Sequence, residues 1–499
     1  MTALASPLHP NGKGLAFAGI LLLGAACAPL PKSDLAPDAP IEARLAAAGL
    51  PNADAGFVVA DLETGEILAE RHADGGFMPA STLKVVTAFS ALEVLGPGHR
   101  FTTAVLAKGK MADATSFEGD LWLRGGGDPL LGVQDVMALA GQLRDKGVER
   151  VSGRFHYDES AFASAAAIAP AQPEAAAYNP AVSALSLDFN RLHVNWRTTD
   201  TGALEADLTP AAGTRAPTRS RLPHPPGRPF MAADGEGEAW RMDAARLSRP
   251  EGRDALPVRH PARRTAAVFR AVAERIGLDL PAPEPGAAPA DSRPVAALVS
   301  APLVDTLRPA LRYSNNLVSE LIGRAVGKRL TGKPVDRAAS AAAVSTWLQG
   351  RLKDVDWRGA VLPNHSGLSA EARITPRQMA AVMTAALKAR YGGGRFAAVL
   401  PAGGWDGALD GRFAAPATSG RVWAKSGTMH YAKGFTGLLF SETGRQLVFA
   451  FYMGDPAARR SYDADPSRLG SETQARAKAW IEKAESSMED VIGRWIADF

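Results

Sequence analysis

Pro79-Ala80-Ser81-Thr82-Leu83-Lys84-Val85-Val86-Thr87-Ala88 is the stretch on which the reading of this chain turns. It is small and apolar, with a serine and a lysine three places apart. The pattern predicts the first two turns of a helix, where residues three apart share a face. Ser81 Oγ and Lys84 Nζ can therefore meet. A serine hydroxyl becomes a competent nucleophile when a neighbouring base takes its proton. A lysine serves as that base when burial or a second cation lowers its pKa. A helix start also offers free backbone N–H groups to developing negative charge. Taken by itself, the stretch reads more readily as a buried helix with a serine cap and a lysine reaching for solvent. The rest of the chain has to decide between the two.

Upstream, 56–62 and 66–70 read as a hairpin across Thr64-Gly65, and Gly96-Pro97-Gly98 stops the helix. From Phe101 the texture changes. Strand patterns at 101–107, 119–124 and 151–157 surround a helical period at 136–146. The Ala-rich 161–177 reads as loop, 181–196 as a strand pair, 261–276 as an amphipathic helix and 282–294 as a Pro/Ala linker. Apolar helical patterns then return at 303–312, 317–327 and 339–353. A fourth opens at Thr375-Pro376, an N-cap followed by proline at the first helical position. A strand at 421–425, a hairpin of 435–440 with 446–453, and a last helix from 471 to about 492 complete the chain. The pattern predicts one α/β domain, built from 41–100 and 295–499 and interrupted by a large, mainly β insertion at 101–294.

The chain has 499 residues, 46% hydrophobic and 22% charged, with a formal net charge of +4. That describes a globular protein, long enough for two or three domains. Arg215, Arg219, Arg221 and Arg228 share one Pro-rich stretch without interleaved aromatics, which reads as a solvated loop, so no nucleic-acid partner is expected. Lys13, the apolar run 15–26 and the small residues before Cys27 read as a secretory signal peptide over 1–27. Small residues directly before a cysteine also fit a lipoprotein signal that would lipidate Cys27, although Gly24 stands where such signals usually carry leucine. Ordinary cleavage near Cys27 is the other reading. Residues 28–40 read as a tether. Cys27 is the single cysteine, so no internal disulfide can form and the fold rests on core burial.

Two further motifs lie in the reassembled domain. Ser314-x-Asn316 falls in a loop before a helix, and Lys425-Ser426-Gly427-Thr428 falls on a strand. S-x-x-K, S-x-N and K-[ST]-G each occur once, in that order, each in the expected context. The triple resembles the penicillin-recognising serine acyltransferases. The chain as a whole resembles the low-molecular-mass class C penicillin-binding proteins, the D-alanyl-D-alanine carboxypeptidase/endopeptidase family. Supporting stretches are 79–95, 121–130 with its Gly-Gly-Gly-Asp-Pro, 184–190, 313–321, 366–369, 400–409 and 424–428. The long interval between Ser81 and Ser314 matches the family's large insertion. The resemblance implies a β-lactamase/transpeptidase-like fold, an antiparallel sheet flanked by helices, carrying that insertion.

The resemblance also implies roles. Ser81 attacks the carbonyl of a terminal D-Ala-D-Ala bond, and Lys84 accepts its proton. Lys425 helps keep Lys84 neutral. Ser314 passes a proton to the leaving amine, and Asn316 orients the substrate amide and Lys84. The N–H groups of Ser81 and Thr428 form an oxyanion hole, while Lys425, Ser426 and Thr428, with Gly427 between them, receive the free α-carboxylate. Asp158 and Phe162, in a segment resembling one that reaches the family's active site, are candidates for holding the amino end of a diaminopimelate side chain; a loop carboxylate and a core phenylalanine is the alternative. Departures are Asn315 where aspartate is common, Ser426 for threonine, Asn364-His365 before Ser366-Gly367, and Ala408 for threonine.

The expected partners are peptidoglycan peptides and β-lactams, in the periplasm or cell envelope. No cofactor or metal is expected, because the histidines are dispersed without H-x-H or H-E-x-x-H; a Ser-His-Asp triad stays open, although G-x-S-x-G is absent. Endopeptidase action on cross-links stays open beside carboxypeptidase action. Two rival readings are a serine β-lactamase-like hydrolase, disfavoured by the absence of E-x-x-L-N and by the long insertion, and a non-catalytic wall-binding lipoprotein.

Overall fold

The computed structural model describes residues 40–198, 204–209, 230–234, 237–241 and 251–499. Cys27, the 1–27 leader, nearly all of the 28–40 tether and the four arginines of 215–228 lie outside the described residues.

The centre is a five-stranded antiparallel sheet in the order Val422–Met429, Ala432–Phe440, Gln446–Gly454, Asp54–Asp61, Ile67–Arg71. Asp54 pairs with Gly454 and Asp61 with Leu447, so the two ends of the chain build one sheet. Residues 447–453 form an unbroken buried apolar run, the pattern of a strand covered on both faces. On one face Phe435, Phe449 and Phe451 pack against Met488, Ile492 and Trp495 of the helix Ser471–Asp498. On the other, Val448 and Ala450 meet the helices Lys84–Val94 and Pro376–Lys388. Each such side chain contributes roughly 1.5–3 kcal/mol on full burial, and no disulfide is needed. Thr375 accepts from Gln378 N–H in the expected N-terminal cap. The last helix outruns the sequence expectation, because Trp495 and Ile496 remain buried. The helix Pro456–Ala464, absent from the sequence reading, is opened by Asp455 accepting from Ala458 N–H and by Pro456 at its first position.

Residues beyond Phe101 form a second sheet of their own around Thr102–Met111, Ser116–Arg124 and Phe155–Asp158, backed by the helices Val133–Asp145 and Pro261–Arg275. Two expectations need correction. Pro283–Pro285 and Arg293–Val299 are strands of this sheet, not linker, so the chain leaves it at Val299 and not at 294. The 181–196 stretch is not a strand pair either, since only Arg191–Thr198 is a strand. Asp188, Phe189 and Asn190 all adopt positive φ, a conformation that breaks extended chain. Asn190 Nδ2 pins the turn by donating to Ala181 O and Ser186 Oγ. Residues 161–187 are irregular and lie across the helix Asn316–Thr331, with Phe162, Ile168 and Val182 packed on Leu317 and Leu321. Among the described residues no helix is long and apolar enough to cross a membrane.

Candidate active site

Ser81 sits in a 3₁₀ turn, Ala80–Leu83, that runs directly into the helix beginning at Lys84. Ala80 has φ +45°. Thr82 pins the turn from inside, donating to Pro79 O at 2.7 Å and meeting Tyr452 Oη at 3.0 Å. Two glycines close on it. A Cβ at Gly367 would fall 1.7 Å from Ala80 O, and one at Gly427 would fall 2.5 Å from Pro79 O and 3.1 Å from Ser81 N. Any side chain at either position would displace the turn that presents Ser81.

Lys84 is 1% exposed, yet its Nζ has three partners: Ser81 Oγ at 2.8 Å, Asn316 Oδ1 at 2.7 Å and Ser366 O at 2.8 Å. Two of these can only accept. A neutral amine gives its two hydrogens to Asn316 and Ser366 and turns its lone pair to Ser81 Oγ, the geometry of a base taking the serine proton. Burial pushes the Lys84 pKa well below the ordinary lysine value, Lys425 pushes it further, and Glu320 opposes them. Asn316 completes its own bonding through Nδ2, which donates to Tyr178 O at 3.0 Å. The inserted region thereby holds the amide that holds the lysine. Asn315, the middle residue of the S-x-N motif, caps the helix by accepting from Val318 N–H at 3.2 Å. Ser314 sits at φ +55° in the turn before that cap; among the described residues its hydroxyl has no hydrogen bond to Ser81, Lys84 or Lys425.

The motif strand Val422–Met429 is the open edge of the central sheet. Its first outward groups are covered: Ala424 N–H bonds Pro401 O, and Val422 O receives Gly403 N–H. Backbone groups of alternate residues point the same way in an antiparallel ladder, so the Thr428 N–H faces the uncovered part of the edge, beside the Ser81 turn. Lys425 is fully buried and donates to Ser426 O at 2.6 Å. Burial and Arg412 push its pKa down to about 7.

Residues 38–224 and 248–468 match the model of the D-Ala-D-Ala carboxypeptidase 3 (S13) family. The D-alanyl-D-alanine carboxypeptidase of Actinomadura is 30% identical over 446 residues, 82% of this chain and 79% of that protein. The chain belongs to the S13 family. It is thus a peptidase of the D-Ala-D-Ala carboxypeptidase group. DacB of Haemophilus influenzae, named a D-alanyl-D-alanine carboxypeptidase, is 22% identical over 421 residues, 80% of this chain and 85% of that one. The fold matches the crystal structure of penicillin binding protein 4 from H. influenzae with a TM-score of 0.73 at 19% identity, covering 89% of this chain and 97% of that one. A structure of that protein complexed with a β-lactam matches with a TM-score of 0.65.

In this S13 chain Ser81, Lys84 and Asn316 are in direct contact, and Gly427 lies against the Ser81 turn. Asp158 and Phe162 do not join them. Asp158 is buried, with Oδ1 accepting from Ser160 N–H and Oδ2 from Ala288 N–H. Phe162 is a core residue packed on the Asn316–Thr331 helix. Their surroundings are those of the structural alternative: a buried carboxylate with one backbone N–H on each oxygen, and an aromatic ring in a core.

Four contributors to the site had no role assigned from the sequence. Glu320, fully buried, accepts from His365 N–H and Ser366 N–H, fixing the loop whose Ser366 carbonyl holds Lys84. Burial pushes its pKa up. His365 is buried behind it, its Nε2 2.7 Å from Ser340 Oγ and its pKa pushed down to about 3 by burial and Arg324. Lys433 donates to Thr428 Oγ1 at 2.7 Å, and Arg412 touches Glu485 near it. Burial, with Arg412 and Lys425, pushes the Lys433 pKa down while Glu489 pushes it up. The signals were present: a glutamate four places after Asn316 inside an apolar helix, and a lysine within Ala-Lys-Gly-Phe-Thr-Gly-Leu-Leu-Phe (432–440), where a buried strand has no ordinary use for charge.

Proposed function

We propose that this S13 peptidase is an exported serine D-alanyl-D-alanine carboxypeptidase working through an acyl-enzyme on Ser81. The observation that carries the reading is the bonding of Lys84, whose acceptor-only partners on two sides leave its lone pair for Ser81. Ser81 Oγ attacks the penultimate D-Ala carbonyl while Lys84 takes the hydroxyl proton. The C–N bond breaks, and the departing D-Ala amine receives a proton through Ser314. Water then attacks the ester, giving the shortened peptide and free Ser81. The carbonyl oxygen carries negative charge in both tetrahedral intermediates. The N–H groups of Ser81 and Thr428 stabilise it, and losing one such donor costs roughly two to three orders of magnitude in rate. Asn316 orients Lys84 and the substrate amide.

Lys425, Ser426 and Thr428 receive the α-carboxylate, which selects a chain terminus. Gly427 supplies the close approach between strand and turn. A β-lactam offers a strained amide and a carboxylate at similar spacing, so it acylates Ser81. In this reading 1–27 holds the export signal, with lipidation of Cys27 as the new N-terminus and ordinary cleavage near it as the two alternatives, and residues 41–100 with those after Val299 form the catalytic domain around the insertion.

Intact-protein mass spectrometry with benzylpenicillin tests the proposal on protein beginning after Cys27. One penicilloyl adduct on the parent, and none on Ser81→Ala, is expected. An adduct that persists on Ser81→Ala moves the nucleophile elsewhere. A parent that neither forms an adduct nor releases D-Ala from an acyl-D-Ala-D-Ala peptide removes the catalytic reading.

A further inference from the structure

We propose that Lys433 is a positioning residue for the substrate's terminal carboxylate, acting through Thr428. The inference rests on the reading above and extends it by one residue. Thr428 and Lys433 are direct cross-strand partners at the open edge of the central sheet. Thr428 is exposed, whereas Lys433 is 2% exposed with its Nζ 2.7 Å from Thr428 Oγ1. The Lys433 nitrogen gives a hydrogen to Thr428 Oγ1, so the threonine oxygen is engaged as an acceptor from the protein side. Its single O–H hydrogen is left to be donated outward, and a carboxylate, which only accepts, is the group that fits. Without Lys433 the hydroxyl can rotate and spend that hydrogen elsewhere.

Lys433 is held from behind. Glu485 Oε1, on the Ser471–Asp498 helix, lies 2.6 Å from its Nζ, and the Phe435 ring centroid lies 5.4 Å away. Arg412 contacts the same Glu485. The C-terminal helix thereby sets the chemistry of a residue on the far side of the sheet edge. A role confined to anchoring that helix is the alternative, and the two differ in what Lys433 replacement does to substrate choice.

The test compares kcat/KM for an acyl-D-Ala-D-Ala peptide with that for the matching acyl-D-Ala S-methyl thioester, which shares the acyl group but has no carboxylate. Lys433→Met is expected to lower the peptide-to-thioester ratio roughly tenfold or more, the size of a lost charge-assisted contribution, with the thioester rate kept. In a Thr428→Val background the same change is expected to leave the ratio unaltered, because the lysine acts through that hydroxyl. If Lys433→Met does not fold, Lys433→Gln, which keeps a donor at that position, is expected to lower the ratio by a smaller factor. Equal losses on both substrates, or an unchanged ratio in a folded variant, make Lys433 a structural anchor and overturn the proposal. A parent that cleaves neither substrate overturns the underlying carboxypeptidase reading, and this inference with it.

Discussion

In the proposed mechanism two lysines with lowered pKa do opposite work: Lys84 is useful when neutral, Lys425 when charged. Burial lowers Lys84 first and the Lys425 charge lowers it further, so kcat/KM of the free enzyme rises with pH as Lys84 loses its proton. Burial, then Arg412, push the Lys425 pKa down to about 7. Above that it loses the charge that attracts the substrate carboxylate, and kcat/KM falls. The expected profile for a D-Ala-D-Ala peptide therefore has an alkaline limb near pH 7. A thioester substrate without the carboxylate should lose that limb, because its binding does not use Lys425. Coincident profiles for the two substrates, measured between about pH 5 and 10 at constant ionic strength, would assign the limb to another group.

The helix Asn316–Thr331 carries the site's second layer. It begins at Asn316, which holds Lys84. One turn on it places Glu320 under the Ser366 loop, and at Gly323 it lets the His365 ring lie against its backbone. A Cβ at Gly323 would fall 2.0 Å from His365 Cγ. His365 has little room to yield, since its N–H is on Glu320, its carbonyl on Thr87 and its ring on Ser340. Gly323→Ala is expected to lose about 2 kcal/mol or more of stability through overpacking, despite alanine's better helix propensity. It should also lower turnover, because Ser366 O is a Lys84 partner; denaturant unfolding with turnover of the residual folded protein checks both, and an alanine variant as stable as the parent would refute this packing argument. The same helix shows what the sequence could convey. S-x-x-K and S-x-N announce themselves because their spacing is local. Glu320, His365 and Lys433 gain meaning only when distant segments meet, so their types and not their spacing were the available clue. Asp158 and Phe162 show the converse: an acid and an aromatic ring in a segment resembling a binding segment say nothing about whether backbone donors and a core also engage them.

At the scale of the molecule, the insertion and the catalytic sheet have separate cores and meet on that helix. Phe162, Ile168, Val182 and Ala184 pack on Leu317 and Leu321. Arg324 donates to Ala163 O, Arg337 to Ile168 O, and Asn316 to Tyr178 O. The insertion therefore braces the residue that positions Lys84 and is more than an appendage. Truncating Phe162 at this junction tests the brace. Phe162→Ala removes a buried ring from a small cluster, with an expected cost of about 3–5 kcal/mol. Loosened docking of 161–187 should free the Asn316 amide and slow acylation. The loss should be the same for a stem peptide ending in a free amino group on its third residue and for one in which that group is acetylated, because the phenylalanine acts through the helix and not on the side chain of the substrate. Melting temperature and kcat/KM on the matched pair of peptides measure the two effects. A variant of parental stability that loses only its preference between the two peptides would instead place Phe162 against the substrate.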